Sequence, residues 1–293
     1  MYEDIRNKST ISHSDVIALN FVALSPPYVF RRHYRQGLRS HVMEVLSPAD
    51  VILEKTGTVI DGVLQFPRAI PSSMFRIFRS KFETLEEAWA EIERFKIVSE
   101  YLVPDFMAHS TEFIVEYHGP HGSEVMLCGF QKYIEGEILD PWTILDAANL
   151  LPTIYTEMRD RGASISLSKD EWVLDARRKG SQLIDRYKQM ITHAGYIPDL
   201  AGVGNLIITS NGEICLVDIN NISPVYNGST IPLDERGYPV CDKSIEAISL
   251  IEEKIVGRPI NMEEKIYQLF LNSQRKRMVK EKVELFSKEF VEN

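Results

Sequence analysis

The stretch His193–Ser223, HAGYIPDLAGVGNLIITSNGEICLVDINNIS, restricts the possible folds more than any other part of the chain. Within it Leu206–Thr209 and Ile214–Val217 are apolar runs on either side of Asn211-Gly212, the pattern of two antiparallel strands joined by a two-residue turn. Such a hairpin brings Asn205, just before the first strand, to the same end as Asp218, just after the second. An amide and a carboxylate there offer the oxygen ligands that Mg²⁺ takes. Both residues are also ordinary turn formers, so a hairpin with polar ends accounts for them without a metal.

The 293 residues suffice for one large core or two modest ones, and two lobes are the expectation. With 44% hydrophobic and 26% charged residues the chain has the composition of an ordinary globule. A net charge of -9 opposes general binding to a phosphate backbone, so no nucleic-acid partner is expected. Cys128, Cys215 and Cys241 lack metal-ligand spacing and read as buried thiols of a reducing cytosol. The apolar run Val16–Leu24 is interrupted by Asn20 and lacks a signal-peptide pattern. No run reaches the ~20 residues of a membrane span, so a cytoplasmic protein without a membrane partner is expected.

Residues 1–49 read as an N-terminal extension. After the break at Pro26-Pro27 it concentrates Arg31, Arg32, Arg35 and Arg39 with His33 and His41, either as a solvated helix face or strap, or as an anion-binding patch. Over 50–133, VILEK, VIDGVLQF and MFRIFRSKF read as three strands, with Phe75, Ile77 and Arg79 on one face of the third and Arg76 and Phe78 on the other. Thr84-Leu-Glu-Glu87 is a capping box that opens a helix to about Leu102. Glu91 falls on its stripe of Ala88, Phe95, Val98 and Leu102 and needs a cation, for which Arg79 is the expected partner. Pro104 ends the helix, and TEFIVEY with EVMLCGFQKYIEGEIL reads as a second hairpin. Over 134–293 come two long helical patterns, TILDAANLLPTIYTEMRDRG and EWVLDARRKGSQLIDRYKQMITHAG, then a loop from Ser223, helices from Ser244 and Met262, and a last stripe of Val279, Val283, Phe286 and Phe290.

The 193–223 stretch resembles the catalytic and metal-binding segment of the protein-kinase-like superfamily, in which an Asp-Leu loop, a metal-binding Asn, two strands and a terminal Asp follow in order. FQKYIEGEIL resembles the hinge of aminoglycoside- and choline-kinase-like phosphotransferases. The resemblance covers about residues 50–225 and is tight from 193 to 223. It implies an α+β, two-lobed fold, with an antiparallel-sheet lobe carrying one long helix (50–133) and a mainly helical lobe (134–293). It further implies ATP and Mg²⁺, with Asn205 and Asp218 on the metal, Arg79 held by Glu91 on the phosphates, and Gln131, Lys132 and Tyr133 at adenine, mainly through the main chain. Asp199 would be the base that passes a phosphoryl group to a hydroxyl acceptor on a small molecule or protein.

Four departures accompany the resemblance. Only Gly57 and Gly62 are available for a phosphate-covering loop, Arg79 replaces a lysine, Ile219-Asn220 replaces Phe-Gly, and Leu200 takes the ungapped place of the catalytic Asp, with Asp199 one residue early. Gly202 and Gly204 make a bulged loop cheap. These departures keep open a pseudokinase that binds or scaffolds. ATP-grasp ligases are a third possibility, since Asp218-Ile-Asn220 also fits their metal-binding pattern; the helical patterns without a strand over 140–193 favour the kinase-like reading.

Overall fold

The computed structural model describes residues 3–23, 27–228 and 230–291, with side chains described to Lys288. Leu24, Pro26 and the Phe290 side chain therefore lie outside the described residues. The chain is α+β with an antiparallel main sheet, and its contacts divide it into two compact units, residues 1–95 with 108–133 and residues 96–107 with 134–293.

In the first unit, β1 (Val29–Arg32), β2 (Ser40–Leu46), β5 (Ser73–Phe78), β6 (Ser110–Gly119) and β7 (Gly122–Lys132) form one sheet in the order β1-β2-β5-β7-β6. The expected extension, residues 1–49, thus supplies two of the five strands. Alternation decides which face is covered by what. Phe30, Met43, Phe75, Ile77, Met126 and Cys128 pack under Ile5, Ile11, Val16 and Leu19 from the start of the chain and its short helix α1 (His13–Ile17).

VILEK is not a strand. It lies in α2 (Pro48–Thr56), where Pro48 in the first turn and Asp50 beside it outweigh the β propensity of Val51 and Ile52. VIDGVLQF is not one strand but two, β3 (Thr58–Ile60) and β4 (Val63–Gln65), reversed by Asp61 at φ 50° and Gly62 at φ 77°. Two left-handed residues in succession make the tight turn that Asp-Gly favours. The arginine-rich stretch is not a helix face either. Arg31 in β1 donates to buried Glu44 at 2.6 Å and to Glu54 at 2.7 Å, and His33 also meets Glu44. Arg35 lies over the Tyr34 ring.

The capping-box helix forms as α3 (Leu85–Leu102), with Thr84 Oγ1 accepting from Glu87 N at 3.2 Å. Glu87 reaches back one residue further than expected, to Glu83 N. Its buried stripe is Ala88, Ile92, Phe95, Val98 and Leu102; Glu91 stands at the edge of that stripe and Ile92 takes the inward place.

In the second unit, α4 (Leu150–Asp160) packs on α5 (Lys169–His193), with the Tyr155 and Trp172 rings 5.6 Å apart. Ser168 and Glu171 close a capping box that starts α5 two residues before the expected Glu171. Short β8 (Glu137–Ile138) joins β10 (Leu206–Ile208) and β11 (Ile214–Leu216) in a sheet ordered β11-β10-β8, while β9 (Tyr196–Pro198) pairs with β12 (Ile222–Pro224). Helix α6 (Val240–Ile251) continues into a wider turn over Glu252–Val256, and α7 (Lys265–Phe270) and α8 (Ser273–Val291) follow. Buried Glu252 is held by Lys188, Arg258 and Tyr267, and Asp242 by Arg275 at 2.5 Å.

All three cysteines are free and buried, and burial pushes the Cys241 thiol up to about 12. Among the described residues no helix is long and apolar enough to cross a membrane.

Candidate functional site

Helix α5 delivers the chain to the expected metal segment. After His193 the left-handed Gly195, at φ 71°, turns it into β9, and Asp199 follows Pro198. The main chain of Asp199 is fixed from the β12 side, its N–H donating to Asn221 O at 2.8 Å. Its carboxylate Oδ1 accepts from Ala201 N at 3.0 Å and from Gly202 N at 3.3 Å.

Leu200 is fully buried, and its N–H donates to Ser244 Oγ at 3.1 Å. Leu200 is thus a core residue, and Asp199 is the polar residue of this turn. Trp142 Nε1 donates to Ala201 O at 3.1 Å and ties down the next position.

The loop closes on itself through Asn205, whose Nδ2 donates to Asp199 O at 2.8 Å. Within this loop Gly204 is left-handed, at φ 90°. At Gly202 the requirement is space: a Cβ there would stand 2.6 Å from the Asn205 Nδ2.

The hairpin β10–β11 then sets the second half of the pair. Leu206 faces Leu216, and Val217 N donates to Asn205 O at 2.8 Å, so the ladder runs one step past the strands before Asp218 leaves it. The expected two-residue turn at Asn211-Gly212 is instead a three-residue loop. Gly212 N donates to Thr209 O and Thr209 N to Glu213 O, with Gly212 left-handed at φ 73°.

Asp218 is half-buried, and its Oδ1 accepts from Asn220 N at 3.0 Å. Asn205 is 8% exposed. Burial raises the pKa of Asp199, and the charges of Asp218 and Asp234 raise it further.

Asp234, which sequence reasoning missed, belongs to this neighbourhood. Its Oδ1 accepts from Arg236 N and Tyr238 N, and the Asp-Glu-Arg-Gly turn at 234–237 was the available signal. Tyr238 is likewise raised, by burial and then by Asp199 and Asp234. The donor set of Asn205, Asp218 and nearby Asp199 is all oxygen, and its carboxylates repel one another, which suits a hard divalent cation. Among the described residues no three His, Cys, Asp or Glu side chains converge as a metal cluster.

In the first unit the expected phosphate pair does not form. Arg79 follows β5 on the face of Phe75 and Ile77, the face covered by the start of the chain, and donates to Arg6 O, Ser9 O and His41 Nδ1. Glu91 pairs instead with Arg94, one turn along α3. The arginine on the α3 side of the sheet is Arg76, beside Phe78, whose ring meets Phe95 at 5.7 Å. Arg76 is 2% exposed and is held by Ser110 at 2.8 Å and by Glu112; Gly129 opposite leaves room for its guanidinium. The alternation along MFRIFRSKF was the signal for Arg76, on the face opposite the one chosen.

The expected adenine contacts are also restricted. β7 lies between β5 and β6, Gln131 is paired with Met74 and Ser110, and Lys132 N donates to His109 O at 2.8 Å. The main chain of Gln131 and Lys132 therefore belongs to the ladder, and Tyr133 is the first of the three beyond it. What Gln131 offers is a buried side-chain amide whose Nε2 has no hydrogen-bond partner among the described residues. The sequence matches no protein-family model and no curated protein.

Proposed function

We propose that this chain is a kinase-like phosphotransferase that binds ATP with Mg²⁺ and transfers a phosphoryl group to a hydroxyl acceptor. The observation that carries the reading is the bond from Asn205 Nδ2 to the Asp199 carbonyl, which ties the loop of the candidate base to the candidate metal ligand despite the extra residue. Asn205 and Asp218 would hold the Mg²⁺. The ion would neutralise charge on the phosphate oxygens.

The chain's own part is positioning and one proton. With Oδ1 of Asp199 occupied by Ala201 and Gly202, Oδ2 is the oxygen that would take the proton of an acceptor hydroxyl. Burial and the nearby Asp218 charge make that carboxylate a stronger base than an exposed one.

Thermal unfolding with ATP, with and without Mg²⁺, tests the reading. A ligand at a hundredfold excess over its dissociation constant adds about 2.7 kcal/mol. The Mg²⁺-dependent shift is expected in wild type and lost in Asp218→Ala. Asp199→Asn is expected to keep the shift and lose at least about a hundredfold in turnover against any acceptor found. No shift in wild type would sink the proposal. If Asn220→Ala abolished the shift as fully as Asp218→Ala, the ATP-grasp reading would gain.

A second reading, a pseudokinase that binds nucleotide without turnover, is favoured by one observation: Arg79 and Glu91 each have other partners. It predicts the Mg²⁺-dependent shift with no ATP consumption in wild type.

A further inference from the structure

The segment from Pro48 to Ile70 is built on a rigid base and ends in an apolar surface. Arg31 anchors the base, bonded to Glu44, to Glu54 on α2 and to Ala69 O at the far end of the segment, while Ala69 N donates back to Glu54. Beyond that base Ile52, Val59, Ile60, Val63, Leu64 and Phe66 are 45–67% exposed. At roughly 100 Å² each, the six side chains expose about 600 Å², about three-quarters of the ~800 Å² that each partner of a standard interface buries, with Val59 and Leu64 on one face of the hairpin and Ile60 and Val63 on the other.

Among the described residues the hairpin β3–β4 forms a sheet of two strands, which leaves the outer edge of each strand open there. A two-stranded hairpin is marginal alone in water. Edge strands are ordinarily protected by a charge or a proline, yet Thr58–Ile60 and Val63–Gln65 contain neither. In a two-residue hairpin the alternation turns the main-chain N–H and C=O of Leu64 outward, away from β3.

We propose that β4 pairs edge to edge with β4 of a second copy of this chain, antiparallel about a two-fold axis at Leu64. That pairing sets Leu64 against Leu64 and Val63 against Gln65, and it closes the contact as an isologous dimer. The Asp61 carboxylates at the two tips fall at opposite ends of the joined sheet, whereas a parallel arrangement would bring them together. A lipid surface fits less well, because the Asp61 carboxylate stands at the tip of the hairpin, where it would enter an anionic leaflet first.

Sedimentation velocity of the full chain over a wide concentration range tests the pairing. A concentration-dependent dimer is expected for wild type, with the dissociation constant raised at least about tenfold in Leu64→Asp. Ile144→Asp, at a fully exposed position in the other unit, should behave as wild type. Leu64→Cys supplies a second readout independent of the Asp variant's folding. Opposed residues of a hydrogen-bonded antiparallel pair lie about 5.5 Å apart, within disulfide reach, so mild oxidation should link two chains through this position while the buried native thiols stay silent. A wild type that stays monomeric throughout, a Leu64→Asp chain that dimerises as wild type, or a monomer that instead sediments with anionic vesicles would each overturn the proposal.

Discussion

His41 is fully buried, with Nε2 donating to Ile5 O at 2.9 Å and Nδ1 facing the Arg79 guanidinium at 3.3 Å. Burial first, and the Arg79 charge second, push its pKa down from 6.5 to about 4. The folded chain therefore binds fewer protons than the unfolded one over that window, and this contribution to stability, present above pH 6.5, is lost as pH falls through 4. His41→Gln is expected to remove about 3 kcal/mol of the stability that wild type loses between pH 6.5 and 4, read from denaturant unfolding at a series of pH values. Asp199 works in the opposite sense. Its raised pKa makes the folded chain bind more protons, so stability is lost as pH rises through the folded value. Asp199→Asn should accordingly melt above wild type at pH 7 without Mg²⁺, with the gap closing as the solution is acidified. The residue type at 199 was legible from the sequence, but the inward direction of Leu200 was not, because loop residues have no period from which a buried face can be read.

Local signals made α3 and the β10–β11 hairpin legible in the sequence, whereas α2 and the β3–β4 turn were not read from theirs. The capping box at Thr84 fixed the start of α3, and the Asn-Gly dipeptide marked the β10–β11 hairpin. Asp61-Gly62 carries an equally strong hairpin signal, yet VIDGVLQF reads as one strand, since the flanking valines and isoleucine suit either answer. Gly212 is left-handed, and a Cβ there would stand 3.3 Å from that of Ala176 on α5. Gly212→Ala should cost about 1–2 kcal/mol in chemical unfolding. Gly202→Ala tests the loop rather than the fold. Its Cβ would displace the Asn205 amide from the Asp199 carbonyl, so the Mg²⁺-dependent shift with ATP should shrink while the far-UV spectrum stays as in wild type.

At the scale of the molecule, the first unit is drawn from both sides of α3 and begins at the start of the chain. Removing residues 1–49 would take away β1, β2 and the apolar residues that cover one sheet face, so the shortened chain is expected to be insoluble or to lose cooperative unfolding. Sequence patterning could not show this, because membership of a sheet depends on pairing over distances that no local period records. The cysteines carry a further consequence. Cys128 lies in the first unit, Cys215 and Cys241 lie in the second, and burial raises the pKa of the Cys128 and Cys241 thiols. Each therefore reacts with an alkylating reagent only when its surroundings open. Pulse labelling read peptide by peptide would time the opening of each half of the molecule separately, with no engineered probe.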